Sequence, residues 1–80
     1  MTEYRKYTKL ELAVNVRNQY LDKLVRLEID KKYYQNRIKM AKPNSQEKKS
    51  FNGFIKLIGR KIEEAQTRIA AAEERIKELE

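Results

Sequence analysis

Apolar residues in the second half of the chain recur in alternating steps of three and four. Ile55, Ile62, Ile69 and Ile76 form one row, and Phe51, Ile58, Ala65, Ala72 and Leu79 form the other. A seven-residue repeat keeps one stripe on one side of a helix, and such a stripe has to be buried against another helix. The first half carries a looser version. Its rows are Leu10, Arg17, Leu24, Lys31 and Ile38, and Ala13, Tyr20, Leu27, Tyr34 and Ala41, with Arg17 and Lys31 as charged interruptions.

Boundary signals divide the chain into two elements. Thr8 and Glu11 have capping-box spacing, and Tyr7 and Leu12 hold the flanking staple positions. Residues 1–7 read as a short arm or an extra turn, with Tyr4 and Tyr7 as packing residues. From Lys9 nothing breaks the helical pattern until Pro43, which pushes Lys42 out of helical angles. Asn44 with Glu47, or Ser45 alone, can cap the second helix. Asn52-Gly53 is a second turn signal, but Phe51 already lies on the stripe, so the second helix is expected to run through it. The alternative is one long loop over residues 42–52.

The expected fold is all-α and a single domain over residues 1–80. Helix 1 spans about 8–41, the turn 42–45, and helix 2 about 46–79. So short a connection implies antiparallel neighbours. One register pairs Ile38 with Phe51, Tyr34 with Ile55, Leu27 with Ile62, Leu24 with Ala65, Tyr20 with Ile69, Arg17 with Ala72, Ala13 with Ile76 and Leu10 with Leu79. Large then faces small at several levels, as dense packing prefers. A parallel dimer of helix 2 is the rival, with Arg68 meeting Glu73 and Arg75 meeting Glu80 of the other copy. In the hairpin those charges would serve their own helix, through Arg60–Glu64, Glu64–Arg68 and Glu73–Lys77.

A second stripe on helix 1, Val14, Leu21 and Val25, is widened by Val16 and is too broad for one helical neighbour. Two helices alone also make a thin core. A homodimer forming a four-helix bundle is therefore expected, with Val14, Val16, Arg17, Leu21 and Val25 at its interface. The alternative occupant is a different protein. Arg17, within that apolar face, is expected either to reach solvent past Ala72 or to find an acid, Glu73 being the candidate. Ile29, Tyr33 and Met40 form a sparse outer row.

Composition agrees with long helices: Ala, Glu, Lys, Leu and Arg supply 42 of the 80 residues. No Cys and no His are present, so disulfides, thiol chemistry and the usual zinc sites are excluded. With no signal-peptide core and no spanning segment, the chain reads as soluble and cytoplasmic. No cofactor, metal or membrane partner is expected. Catalysis finds little support, because Glu63-Glu64 and Glu73-Glu74 are sequence neighbours whose side chains diverge by about 100° on a helix.

Charge changes the picture most. Residues 31–61 hold ten basic residues and one acid, whereas residues 62–80 hold three basic and six acidic. The hairpin gathers Lys31, Lys32, Arg37, Lys39, Lys42, Lys48, Lys49, Lys56, Arg60 and Lys61 around its turn, with Tyr33 as an aromatic off the seam. Lys48, Lys49 and Lys56 are read as lying off the seam. Such a tip attracts phosphate backbones or an acidic protein surface. In shape and size the expected hairpin resembles the small homodimeric helical-hairpin RNA binders of the Rop type and the coiled-coil arms of some tRNA synthetases, without sharing a motif with either. Two functions follow as expectations. One is a non-enzymatic module whose basic tip contacts RNA, DNA or a nucleoprotein. The other is a protein-interaction module, an adaptor or a small inhibitor of a larger and even nucleic-acid-binding enzyme, docking by the apolar face of helix 1.

Overall fold

The structure, a computed structural model, describes residues 8–80. It consists of two helices packed side by side, α1 (Lys9–Met40) and α2 (Gln46–Leu79), with no strand among the described residues. The arm with Tyr4, and the staple partner Tyr7, lie outside the described residues.

Local chemistry sets the ends. The Glu11 N–H donates to Thr8 Oγ1 at 3.1 Å, and the Thr8 N–H donates to Glu11 Oε1 at 3.5 Å, so the capping box forms as the spacing predicts. At the far end the Ala41 N–H tightens back onto the Ile38 carbonyl at 3.2 Å. Pro43 then turns the chain, and the Ser45 N–H closes on the Lys42 carbonyl at 3.2 Å. Asn44 takes φ 60, a left-handed conformation that Asn tolerates better than most residues. Of the two cap candidates Ser45 is the one used, accepting from the Lys48 N–H at 3.1 Å.

The heptad seam is the buried seam. Ala13, Ile58, Ala65, Ile69, Ala72 and Ile76 are buried, and Ala65 is only 1% exposed. The larger seam residues of α1, Leu10, Tyr20, Leu24, Leu27, Tyr34 and Ile38, are half-buried, because a single neighbour covers each from one side. The two helices run antiparallel, as neighbours at both ends show. Tyr34 packs its ring against Phe51 and Phe54, with centroids at 5.6 and 5.3 Å, and a groove at the open end brings Ala13 and Tyr20 beside Ala72.

α2 runs unbroken through Asn52-Gly53 and through Gly59. A Cβ at either glycine would meet nothing within 4 Å, so nothing in the hairpin requires them. Each leaves the helix about 1 kcal/mol weaker than alanine would.

Most exposed ion pairs differ from the expected set. Among the described residues Asp22–Arg26, Arg37–Glu47 and Arg75–Glu78 close to 3.2, 3.3 and 3.1 Å. Arg60–Glu64, Glu64–Arg68 and Glu73–Lys77 do not. Exposed pairs contribute little, and their long side chains choose among many near-equal rotamers.

Leu24→Cys combined with Ala65→Cys should give an intramolecular disulfide on oxidation, seen as a monomeric band of altered mobility on non-reducing gels. Crosslinks found only between chains would show that the hairpin opens and exchanges its helices. Gly53→Ala and Gly59→Ala should each raise the unfolding free energy by about 0.5–1 kcal/mol in urea titrations followed by circular dichroism.

Candidate nucleic-acid interface

The hairpin presents two long flanks, one on each side of its seam, because positions two residues apart on a helix point about 200° apart. Grooves along the rod identify them. On the first flank Lys32, Gln35 and Lys39 of α1 lie beside Asn52 of α2 at the tip, and Arg17 lies beside Glu73, Lys77 and Glu80 at the open end. On the second flank Arg37 and Met40 lie beside Glu47 at the tip, and Val16 and Gln19 lie beside Arg68, Ala71 and Arg75 at the open end.

This geometry separates the tip cations into groups. Lys32, Lys39, Lys49 and Lys56 stand exposed on the first flank, Lys42 is exposed in the turn, and Arg60 and Lys61 are exposed toward the second flank. Lys31 and Lys48 are different. Both are half-buried, because both fall on the seam register: Lys31 seven residues after Leu24, and Lys48 seven before Ile55. The expectation that Lys48 stands clear of the seam is corrected accordingly. Arg37 is the tip cation held by a carboxylate, donating to Glu47 Oε1 at 3.3 Å while its guanidinium lies 5.8 Å from the Phe51 ring centroid. Among the described residues none of the other nine tip cations has a carboxylate within ion-pair distance; seven of them are exposed, and Lys31 and Lys48 are half-buried.

An aromatic cluster lies among these cations. Tyr34 is its centre: Tyr33 meets it edge-on at 5.3 Å, and Phe51 and Phe54 tilt against it. Tyr33 is 56% exposed and Phe54 47%, and Leu57 beside them is half open to solvent. Tyr33 was legible as an exposed aromatic. Phe54 and Leu57 were not, because the seven-residue repeat records only the seam. Their signal was their spacing, three and six residues after the seam residue Phe51, which places them along the second flank.

The residues assigned to a partner interface divide. Val14 and Arg17 are half-buried, and Leu21 and Val25 are exposed, all on the first flank. Val16 falls on the second flank, beside Arg68 and Ala71, and does not widen the same stripe. The Arg17 guanidinium donates to Asn18 Oδ1 at 3.4 and 3.3 Å; it shares a groove with Glu73 without bonding to it. Ile29, Tyr33 and Met40 are all exposed and lie within about 40° of one another along the outer side of α1.

Among the described residues no group of three or more acidic, His or Cys side chains could hold a metal ion, and no helix is long and apolar enough to cross a membrane. Comparison with protein-family models, curated proteins and solved structures gives no match to this chain.

Tyr34→Ala should lower stability by about 2–3 kcal/mol, since it removes the ring on which Tyr33, Phe51 and Phe54 all pack. Tyr33→Ala, which removes one exposed neighbour, should stay within about 0.5 kcal/mol of the parent. Urea unfolding of both variants measures the contrast.

Proposed function

We propose that the hairpin is a non-enzymatic binding module whose basic tip engages nucleic acid, free or within a nucleoprotein. The observation that carries this reading is the juxtaposition at one end of the rod of exposed cations with the exposed rings of Tyr33 and Phe54. Cations attract the phosphate chain at any sequence, and exposed rings offer stacking surfaces to unpaired bases. Arg37, Arg60 and Lys61 flank the rings and are the residues we assign to the phosphates nearest the stacked bases. Lys31, Lys32, Lys39, Lys42, Lys48, Lys49 and Lys56 supply the wider field.

A second reading is favoured by a different observation. Leu21 and Val25 remain exposed, Val25 at 54%, on a flank with no covering element. We propose that this flank is an interaction face. In the finer architecture it closes a four-helix bundle with a second copy, and in the alternative it docks a protein target, as an adaptor or inhibitor would.

Fluorescence anisotropy with labelled single-stranded RNA and DNA, titrated at several salt concentrations, tests the first reading. Arg60→Glu with Lys61→Glu should abolish binding at unchanged helicity, and each lost phosphate contact should shallow the log-affinity against log-salt slope by about 0.7–0.9. Tyr33→Ala with Phe54→Ala should weaken single-strand binding about tenfold or more and leave the salt slope in place. Glu74→Lys at the opposite end should not weaken it. Absence of any affinity at low salt would reject the nucleic-acid reading and leave the interaction face as the function.

A further inference from the structure

We infer that the nucleic acid engaged at the tip is a single strand. It runs from the rings of Tyr33 and Phe54 along the second flank to the open end, where Arg68 and Arg75 hold its phosphates. The inference rests on the nucleic-acid reading above and adds the path, the length and the strandedness of the ligand.

The path starts from a row on α2. Phe54, Lys61, Arg68 and Arg75 are all exposed and stand seven residues apart. In a heptad seam a seven-residue step returns to the same side of the helix, about 10 Å further along. The groove at the open end fixes which side this is, because Arg68 and Arg75 border it together with Val16 and Gln19 of α1. The row therefore begins at an exposed ring and continues as three cations on one edge. Among the described residues Lys61 and Arg68 have no carboxylate within ion-pair distance, and Arg75 donates to Glu78 Oε2 at 3.1 Å. Both partners of that pair are more than half exposed, so the pair contributes little and yields to a phosphate. Arg68 and Arg75 belong to the acidic segment 62–80, so a charge count along the chain conceals them.

The other routes away from the rings are short or repulsive. Toward the turn, α2 begins at Gln46, only about 12 Å from Phe54, and Glu47 there already holds Arg37. On the first flank, from Glu28 to the open end, Glu28, Glu63, Glu73 and Glu80 stand against Arg17 and Lys77, a balance that repels a phosphate chain. Over the same length the second flank carries Lys9, Lys23, Lys61, Arg68 and Arg75 against Glu64 and Glu78, with Arg26 held by Asp22. Asp30 of α1 falls between the rings and Lys61 in level, so the strand keeps to the α2 edge there.

Length and strandedness follow from this geometry. Phe54 and Arg75 lie about 32 Å apart along α2. A strand whose bases stack about 3.4 Å apart covers that distance with about nine nucleotides. The strand is single because a ring stacks on a base whose face is free, and a base inside a duplex has both faces covered.

Fluorescence anisotropy with labelled oligoadenylates of about four and about ten nucleotides tests the inference, at about 0.1 M salt, where fields fade within about 10 Å. The parent should bind the longer strand at least about tenfold more tightly. Arg68→Gln with Arg75→Gln should remove most of that gain and shallow the salt slope for the longer strand by about 1.4. The same variant should bind the shorter strand within about twofold of the parent, because that strand ends short of both arginines. Arg17→Gln with Lys77→Gln takes the same charge from the same end of the first flank and should change neither affinity. Equal affinity of the parent for both strands overturns the path and leaves tip binding in place. An equal loss from the two double variants, or a loss as large for the shorter strand as for the longer, also overturns it, since each reports a general field rather than contact. A duplex that binds as tightly as the longer single strand overturns the strandedness. No affinity for either strand at any salt concentration overturns the nucleic-acid reading itself. Circular dichroism of each variant confirms that the hairpin is intact.

Discussion

Two helices cannot enclose a core. Each seam residue is covered from one side by one neighbour, and everything else about this hairpin follows from that limit. Only side chains short enough to be roofed completely, Ala13, Ala65 and Ala72, or the isoleucines that point straight into α1, drop out of solvent. Leu24, Leu27 and Tyr34, with longer reach, keep part of their surface wet. The hydrophobic stabilisation is therefore modest for a chain of this length, and the helix ends must be sealed by local hydrogen bonds. Thr8 with Glu11 and Ser45 with Lys48 supply these at the two N-termini.

The seam was legible in the sequence because a period of seven is a direct projection of helix geometry. The capping box at Thr8 and the turn at Pro43-Asn44 were legible for a similar reason: each depends on residues within three or four positions. What lies beside the seam was harder to read. Val16 sits two residues from Val14 yet on the opposite flank, a distinction that a list of nearby apolar residues obscures. The aromatic cluster was half visible: Tyr33 stood out, but Phe54 and Leu57 required placing α2 against α1 before they could be assigned to the same surface. Lys48 looked like a free surface lysine until its register relative to Ile55 showed it in the seam. Ion pairs were the least legible. Arg37 reaches across the turn to Glu47, ten residues away, whereas several pairs at ideal helical spacing stay open. Exposed side chains settle such choices by rotamer preferences worth less than thermal energy.

The charge distribution gains meaning once the flanks are distinguished. Summed along the chain, it is a basic centre followed by an acidic end. On the folded rod it becomes two surfaces of different character. One flank carries lysines toward the tip and mostly glutamates from Glu28 to the open end; the other pairs exposed rings with cations at the tip. A minimal scaffold therefore carries two surfaces of different character without any additional element of structure.

The glycines of α2 carry a kinetic consequence. Gly53 and Gly59 both lie in the half of the helix nearest the turn, whereas the half toward the open end is rich in alanine, with Ala65, Ala70, Ala71 and Ala72. Helical backbone is intrinsically looser around glycine and firmer around alanine. The rod is thus graded along its axis, and amide protons of residues 51–60 will exchange with solvent through local openings that leave residues 65–76 protected. The cationic end is the yielding end. A partner that closes on it would lengthen those amide lifetimes before it altered the helical content of the chain at all.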